Sequence, residues 1–247
     1  MGKKAIGIDI GGTGIKGALV DVKKGVIIGE RIRRETPDGA RPAEIAAVVA
    51  ELVSKLSPSS RTLPVGICFP AVVIDGVTKS AANVSDDWID LNAKALFEKE
   101  LNCPVTIIND ADAAGVAEMK FGAGKRKRGV VFMATLGTGI GTAIFTNGKL
   151  VPNAELGHLE IEGVDYETKA SFAAKERENL DWDTWVQRLQ TYFSTVERLL
   201  SPKLIIVGGG VSREHKKFLP KLTLSAVVTP AKLFNNAGIL GAAWLAE

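Results

Sequence analysis

Two nearly identical glycine-rich turns, each set between apolar strand-like segments, constrain the fold of this chain more than any other feature. The first is DIGGTGIK at residues 9–16, and the second is LGTGIGT at residues 136–142. Glycines lack a Cβ, so backbone N–H groups can come close to a phosphate. Neither turn is a P-loop, because GxxxxGK[ST] is missing and the segment after the first turn is strand-like. One such turn is most simply a plain β-turn, but two in the same context indicate loops that hold a polyphosphate chain from both sides.

The first turn also carries side chains suited to phosphate chemistry. Asp9 stands at the end of the preceding strand, where a carboxylate can hold Mg²⁺ through water. Thr13 can donate a hydrogen bond from its hydroxyl. We therefore expect this turn to contact a phosphate and its metal ion.

Hydrophobic patterning places the two turns in two similar halves. Each half opens with a strand, a glycine-rich hairpin and a second strand, and the first half opens as an antiparallel meander. Helices and further strands follow, so we expect an α/β protein. The pattern predicts strands at 5–10, 15–22, 26–33, 64–69, 104–108, 129–135, 142–146 and 204–207, and helices at 42–56, 91–101, 111–121, 180–200 and 235–245.

The two halves indicate two lobes with a boundary near residue 108. Residues 1–108, together with the C-terminal helix 235–247, are expected to form a small lobe that carries the first turn. Residues 109–234 are expected to form a large lobe that carries the second turn and the remaining motifs.

The composition excludes several classes of protein. The chain has 247 residues, of which 46% are hydrophobic, so it can bury a sizeable core. A formal net charge of +3 is too small to indicate a nucleic-acid-binding face. The chain start lacks the apolar stretch of a signal peptide, and no run of about 18 apolar residues occurs. We therefore expect a cytoplasmic protein with no membrane or nucleic-acid partner.

A third motif, NDAD at residues 109–112, lies where a strand runs into a helix. Asn109 or Asp110 would serve well there as an ordinary helix N-cap. In a chain with two phosphate loops, however, Asp110 is also placed where a general base for a sugar hydroxyl is needed.

A fourth motif, ELGH at residues 155–158, sets a carboxylate and an imidazole three residues apart. Glu155 and His158 can accept from and donate to vicinal sugar hydroxyls. Half of a di-metal Glu-x-x-His site is a poor alternative, because His215 is the one other histidine and no second such pair occurs. A hydrogen-bonded loop histidine without a ligand remains an open alternative.

A fifth motif, IIVGGGVS at residues 205–212, has a strand running into three glycines. A helix capped by Ser212 is expected to follow, as in a nucleotide-binding turn. The pattern is not GxGxxG, so dinucleotide binding is not indicated.

Together the five motifs resemble the ROK family of sugar kinases, whose name stands for repressor, open reading frame, kinase. The resemblance runs from DIGGT at residue 9 to NAGILGAA at residues 236–243, with the motifs in family order. It implies a two-lobed actin-like ATPase fold, which is ribonuclease H-like, with a central cleft. It also implies a Mg²⁺-dependent kinase of carbohydrate metabolism that phosphorylates the 6-hydroxyl of a hexose, with glucose the expected substrate.

The resemblance assigns roles to individual residues, with Asp110 as the catalytic base. The sugar-binding residues would be Asn83, Asn109, Asp110, Glu155, His158 and Glu167. The residues near phosphate or nucleotide would be Asp9, Gly11, Gly12, Thr13, Lys16, Gly137, Thr138, Gly139, Gly209 and Gly210.

The chain departs from the family in the segment after the Gly-His pair. Most members carry a Cys-x-Cys-Gly-x-x-Gly-Cys zinc loop there, whereas no cysteine lies between His158 and Glu167. Cys68 and Cys103 stand elsewhere and outside any CxxC motif, so we expect reduced thiols and no zinc. Another group must then orient the ring of His158. A smaller departure is Ala71, where relatives often have glycine.

The short, zinc-free connection resembles the polyphosphate glucokinases. These enzymes accept inorganic polyphosphate as phosphoryl donor, some accept ATP as well, and some relatives also take mannose. A polyanionic donor needs cations near the site, although a solvated loop explains a short basic run equally well. The dense basic run that we interpret as a polyphosphate track is Lys125, Arg126, Lys127 and Arg128, with Lys120, Lys169, Lys175 and Arg177 as possible extensions.

Other functions are alternatives to this one. A ROK repressor needs an N-terminal helix-turn-helix, and the first turn begins at residue 9. A catalytically idle sugar sensor or an actin-like filament protein would not need Asp110 together with both turns. An ATP-only kinase for another hexose or an N-acetylhexosamine stays open. A monomer or a homodimer is expected from the resemblance.

Overall fold

The computed structural model describes residues 3–57 and 63–247 and shows a mixed α/β protein. The strands are β1 (Lys4–Gly11), β2 (Gly14–Asp21), β3 (Val26–Arg34), β4 (Val65–Phe69), β5 (Val73–Ile74), β6 (Val77–Thr78), β7 (Val105–Asn109), β8 (Val130–Leu136), β9 (Ile140–Thr146), β10 (Lys149–Val151), β11 (Glu160–Ile161), β12 (Val164–Asp165), β13 (Leu204–Gly208) and β14 (Val227–Pro230). The helices are α1 (Pro42–Leu56), α2 (Ala93–Leu101), α3 (Asp110–Phe121), α4 (Glu167–Ala170), α5 (Phe172–Arg177), α6 (Trp182–Leu200) and α7 (Ala237–Ala246). Short 3₁₀ helices cover Asp86–Trp88, Leu156–His158, Gly210–Lys217, Leu219–Lys221 and Phe234–Asn236.

The chain forms two compact units that do not divide at the expected residue. Unit 1 comprises the described residues up to Ala117 together with Asn236–Glu247, and unit 2 comprises Glu118–Asn235. The boundary falls inside α3 and not near residue 108. The first part of α3 belongs to unit 1 because it packs tightly against α7, where a Cβ on Gly241 would lie 1.8 Å from the Ala113 carbonyl oxygen.

Each unit is built on a five-stranded sheet of the same topology. The order is β3-β2-β1-β4-β7 in unit 1 and β10-β9-β8-β13-β14 in unit 2. In both sheets the first three strands are antiparallel, and the last two run parallel to the third. The predicted meander at the chain start is therefore confirmed, and the two halves share one strand order.

The core of unit 1 lies between its sheet and the helices α1 and α2. Trp88 is fully buried there between Phe69 and Phe97, at ring-centroid distances of 4.4 Å and 5.9 Å. Its indole nitrogen donates to the Ala40 carbonyl oxygen at 2.9 Å, so the one polar atom of the ring is satisfied. This ring anchors the loop between β6 and α2 to the sheet.

The core of unit 2 lies between α6 and the strands β8 and β13. Asp181 caps α6 by accepting from the Thr184 backbone N–H at 2.7 Å, as the Asp-then-helix pattern favours. The buried face of the helix presents Trp185, Tyr192 and Phe193 to the sheet. Within the described residues, no helix is long and apolar enough to cross a membrane.

Several segments differ from the sequence-based expectation. The helix expected after the three glycines is a 3₁₀ helix, Gly210–Lys217, and Ser212 does not cap it. Instead the Ser212 hydroxyl donates to the Gly209 carbonyl oxygen at 2.7 Å. The short helix α5 and the edge strand β14 were not predicted, because neither is long enough to show a clear apolar period.

Helix α7 lies against β1 and β4 at backbone contact distance. A Cβ on Gly66 would lie 1.9 Å from the Ala242 carbonyl oxygen, and one on Gly7 would lie 2.1 Å from the Ile239 carbonyl oxygen. No side chain longer than hydrogen fits at these two strand positions. The seating of the C-terminal helix on unit 1 therefore depends on glycines in the sheet.

We predict that Gly66→Ala destabilises the protein by at least about 1–3 kcal/mol, because the backbone of α7 must shift to admit the methyl group. Urea unfolding of the full chain measures this. Gly210→Ala is the matched control, since a Cβ there meets no atom within 4 Å, and it should unfold like the wild type. Equal stability of the two variants would contradict the tight seating of α7.

Candidate active site

The first glycine-rich turn joins β1 to β2 and is held from outside by hydrogen bonds. The Thr36 hydroxyl donates to the Gly11 carbonyl oxygen at 2.6 Å, and the Arg33 guanidinium donates to the Thr13 carbonyl oxygen at 3.0 Å. Because carbonyl groups of the turn are engaged in this way, the turn has a fixed shape. A fixed turn can present its N–H groups to an anion.

Asn83 lies directly beside this turn. A Cβ on Gly12 would be 2.9 Å from the Asn83 carbonyl oxygen, so glycine is needed for the two segments to approach. The structure thus brings together one predicted sugar-binding residue and the first glycine-rich turn within unit 1.

Asp9 and Lys16 face each other across the β1–β2 ladder. The Lys16 ammonium lies 3.1 Å from Asp9 Oδ2, and the Cys68 thiol donates to Asp9 Oδ1 at 3.5 Å. Burial, followed by the negative charges of Asp9 and Asp110, raises the pKa of Cys68. The thiol is therefore protonated and acts as a donor to the carboxylate.

The strand β7 delivers Asn109 and Asp110 to the start of α3. Asn109 is buried, and its Oδ1 accepts from the backbone N–H groups of Ala111 at 2.9 Å and Asp112 at 3.1 Å. Its Nδ2 donates to the Ala71 carbonyl oxygen at 3.1 Å. Asn109 is therefore the N-cap of α3, and one amide hydrogen is left for a ligand.

Asp110 is the first residue of α3, and its Oδ1 accepts from the Ala111 backbone N–H at 2.7 Å. The amino end of a helix favours a carboxylate over a neutral acid. Asn109 therefore makes the helix N-cap that was the ordinary structural interpretation of this motif. Asp110 stands beside it at the amino end of the helix.

The second glycine-rich turn, between β8 and β9, is held by a carboxylate. Glu167 Oε2 accepts from the Ile140 backbone N–H at 2.7 Å, and a Cβ on Gly139 would lie 2.4 Å from the same oxygen. The Gly137 carbonyl oxygen accepts from the Ala173 backbone N–H at 3.0 Å. The turn that contains Thr138 is thereby tied to the segment that carries Glu167.

Glu155, His158 and Glu167 form a cluster of charged side chains in unit 2. Burial raises the pKa of Glu155; the His158 charge opposes this and the Glu167 charge adds to it. The 3₁₀ helix Leu156–His158 between them is fixed, because Tyr192 donates from its hydroxyl to the Leu156 carbonyl oxygen at 3.0 Å. The predicted sugar-binding residues of this unit are therefore neighbours.

Asp165 is the group that pairs with the ring of His158 in this chain, whose sequence lacks the zinc loop of the family. Its Oδ2 lies 2.9 Å from His158 Nδ1, and its Oδ1 accepts from the Glu167 backbone N–H at 3.0 Å. A neutral ring that donates from Nδ1 to Asp165 presents Nε2 as an acceptor. The sequence pattern assigned no role to Asp165, because β11 and β12 are too short to reveal the hairpin that brings it back to His158.

The glycines after β13 reach the second turn. Gly209 has φ of +82°, and a Cβ there would lie 2.1 Å from the Leu136 carbonyl oxygen. In the ladder Gly208 pairs with Thr135, so the ends of β8 and β13 lie at one edge of the sheet. Gly210 follows at the start of its 3₁₀ helix with no atom within 4 Å of a Cβ position.

The basic run forms an exposed loop between α3 and β8. Three of its side chains line a cavity of about 450 Å³, and Arg128 is not among them. Two of the four proposed extensions are engaged elsewhere: Lys175 donates to the Leu180 carbonyl oxygen and lies over the Trp182 ring, and Arg177 donates to the Thr168 carbonyl oxygen. Within the described part of the chain, no group of three or more His, Cys, Asp and Glu side chains is arranged to hold a metal ion by itself.

Comparisons with known proteins show the family and the fold of this chain. A family model described as ROK family matches residues 5–179. The polyphosphate glucokinase of Mycobacterium leprae is 44% identical over 241 residues, which is 97% of this chain and 74% of that protein. The structure of inorganic polyphosphate/ATP-glucomannokinase from Arthrobacter sp. strain KM is 53% identical, with a TM-score of 0.93 over 98% of each chain. A ROK family glucokinase from Streptomyces griseus, in complex with glucose and AMPPNP, is 27% identical, with a TM-score of 0.83 over 98% of each chain. The predicted actin-like fold class is confirmed.

We predict that Asp165→Asn lowers the pKa of His158. The hydrogen bond to Asp165 is the main cause that raises this pKa above its ordinary value, with further contributions from the charges of Glu167, Asp165 and Glu155. Because the chain has two histidines, NMR titration of the imidazole signals resolves the change. Asp183→Asn removes an exposed carboxylate at the start of α6 and should leave the titration unchanged.

The raised pKa of His158 also determines how the stability of the fold depends on pH. A pKa raised in the folded state stabilises the fold fully below the unfolded pKa, and this stabilisation is lost as pH rises through the folded pKa. The pair is half exposed, so the effect on stability is small. An unchanged His158 pKa in Asp165→Asn would show that Asp165 does not hold the ring.

Proposed function

The chain belongs to the ROK family, and we propose that it transfers a phosphoryl group from inorganic polyphosphate or ATP to the 6-hydroxyl of glucose. It is a glucokinase of the polyphosphate-using type. The proposal is supported by relatives named polyphosphate glucokinase and polyphosphate/ATP-glucomannokinase that match nearly the whole chain.

One contact in the site carries the proposal. The carboxylate that belongs to the predicted sugar-binding cluster, Glu167, also holds the backbone of the second phosphate turn at Ile140. Glu167 thus links a group that can accept a hydrogen bond from a sugar hydroxyl to a turn proposed to bind phosphate. Such a link suits a reaction that joins a sugar hydroxyl to a phosphoryl group. Neither a sensor nor a filament protein needs that connection.

In the mechanism that we propose, Asp110 accepts the proton of the 6-hydroxyl as the hydroxyl oxygen attacks the terminal phosphorus in line. The bond from that phosphorus to the bridging oxygen breaks, and the shortened polyphosphate or ADP leaves with the bridging oxygen. Asn109 sets the position of Asp110 by capping α3, and it donates its remaining amide hydrogen to the sugar. The other hydroxyls of the hexose are bound by Asn83, Glu155, His158 and Glu167.

The two glycine-rich turns bind the phosphates of the donor. Their N–H groups neutralise the charge that develops on the transferred group, which is the main task in phosphoryl transfer. Gly11, Gly12 and Thr13 provide the first set, and Gly137, Thr138 and Gly139 provide the second. Lys16 adds a positive charge beside the first turn, and Gly209 and Gly210 lie beside the nucleotide when ATP is the donor.

Asp9 fits a role in holding Mg²⁺. A magnesium ion in such sites is bound through one or two carboxylates, waters and the phosphates of the substrate, so a cage of protein ligands is not required. When bound, the ion neutralises the charge of the donor phosphates. Cys68 and Lys16 hold the Asp9 carboxylate in place for that contact.

The basic run from Lys125 to Arg128 is proposed as a track for polyphosphate. Its solvent exposure agrees with that role, since a long polyanion needs accessible cations. Use of mannose, a cytoplasmic location and a monomeric or homodimeric state stay predictions.

We predict that Asp110→Asn lowers kcat by about 100-fold to 10,000-fold while glucose binding changes little, because the base is lost and the sugar contacts are kept. The measurement is glucose 6-phosphate formation with whichever donor the wild type uses, together with glucose affinity by calorimetry. Asp112→Asn is not a useful control because that side chain is buried; exposed Asp87→Asn in unit 1 should retain wild-type turnover. Near-normal turnover of Asp110→Asn would refute the assignment of the base.

We also predict that a chelator that removes Mg²⁺ abolishes turnover and that added Mg²⁺ restores it fully. Zn²⁺ should not be required, since Asp165 holds the ring of His158. Measuring the metal content of the purified protein alongside the assay separates the two ions. A stoichiometric zinc ion whose removal costs activity would contradict the account of His158.

A further inference from the structure

Four cations from two distant segments converge on one cavity in unit 2. Lys125, Arg126 and Lys127 come from the loop after α3, and Lys232 comes from the segment after β14. The cavity has a volume of about 450 Å³ and is otherwise lined by Phe121, Gly122 and Ala123. The sequence run did not include Lys232, which stands alone in an apolar segment.

A buried carboxylate fixes the shape of this cavity. Glu118 is fully buried and accepts from the Lys232 and Leu233 backbone N–H groups at 2.8 Å and 2.7 Å through Oε1. Its Oε2 accepts from the Ala123 backbone N–H at 2.7 Å. Glu118 therefore clamps the two segments together, and a Cβ on Gly122 would lie 1.9 Å from Oε2.

The cations themselves have no ion-pair partner in the part of the chain that the structure describes. In residues 3–57 and 63–247, no Asp or Glu side chain forms an ion pair with Lys125, Arg126, Lys127 or Lys232. The carboxylate oxygens of Glu118 accept hydrogen bonds from backbone N–H groups and do not pair with these cations. Arg126 has φ of +64°, a conformation that few non-glycine residues adopt, so the loop is turned in a specific way at this point. Four positive charges around a concave surface attract a polyanion.

Lys232, on one side of the cavity, lies near the edge of the sheet that carries the second glycine-rich turn. Lys232 follows the end of β14, which is parallel to β13 and β8, and the second turn follows the end of β8. Two strand spacings separate β14 from β8, which amounts to roughly 10 Å. A chain of phosphates that is held at Gly137 by one end can therefore extend to Lys232.

We propose that this cavity is a distal subsite for long-chain inorganic polyphosphate, formed by Lys125, Arg126, Lys127 and Lys232. The inference rests on the proposed function and adds a chain-length requirement to it. Donors that extend beyond the second turn use the subsite, whereas tripolyphosphate and ATP do not. Arg128 lies outside the subsite.

The test compares two triple variants with equal loss of charge. Lys125→Gln, Lys127→Gln and Lys232→Gln together remove the subsite but leave the strained Arg126 in place. Lys149→Gln, Arg198→Gln and Lys216→Gln together remove three exposed cations of unit 2 that do not line the cavity. kcat/KM is measured for each protein with long-chain polyphosphate, tripolyphosphate and ATP, at low and high salt.

The subsite variant should lose at least about tenfold in kcat/KM with long-chain polyphosphate, since each exposed charge contributes a modest amount. Its activity with tripolyphosphate and ATP should stay within about twofold of the wild type, and the salt dependence with the long chain should weaken. The control variant should match the wild type with every donor. Equal losses with all three donors, or equal losses in the two variants, would overturn the proposal.

A binding measurement keeps this proposal separate from the proposed function. Fluorescently labelled long-chain polyphosphate is titrated into each protein without glucose. If the wild type transfers no phosphoryl group to glucose, the proposed function fails, whereas weaker binding by the subsite variant alone still supports the subsite. Equal binding by the wild type and the subsite variant would refute the subsite even if the kinase activity is confirmed.

Discussion

The hydrogen bond from the Ile140 backbone N–H to Glu167 is the contact on which the account of unit 2 depends. It fixes the second glycine-rich turn. Glycine is needed at position 139 because a Cβ there would overlap the Glu167 carboxylate. The same carboxylate belongs to the cluster with Glu155 and His158. The cluster and the second glycine-rich turn are therefore parts of one connected arrangement, and under the proposed function a sugar bound by the cluster is also placed relative to the donor phosphates.

Asp165 gives this arrangement a second anchor. It pairs with the ring of His158 and accepts from the backbone of Glu167, so one short hairpin orients both residues. A zinc ion would bind the histidine more strongly, but a carboxylate also fixes the tautomer and raises the pKa of the ring. The connection can therefore be short without leaving His158 unsupported.

The sequence predicted those features that depend on local pattern. The glycine-rich turns at Gly11 and Gly137 and the opening meander are short-range signals, and both are present. The residues missed depend on contacts between segments far apart in the chain. Lys232 joins the basic loop only because Glu118 binds the backbone of both, and no periodicity reveals that. The expectation that Ser212 caps a helix was wrong, because the Ser212 hydroxyl donates to the Gly209 carbonyl oxygen instead.

The central claim is that the protein phosphorylates glucose and can draw on polyphosphate. The most direct measurement incubates the wild-type protein with glucose and Mg²⁺, with long-chain polyphosphate in one reaction and ATP in another, and follows glucose 6-phosphate. We predict product in the polyphosphate reaction and expect it with ATP as well. Product with ATP alone would contradict polyphosphate use. The basic cavity would then be an ordinary solvated surface with no role in donor binding. No product with either donor would contradict the assignment as a glucokinase.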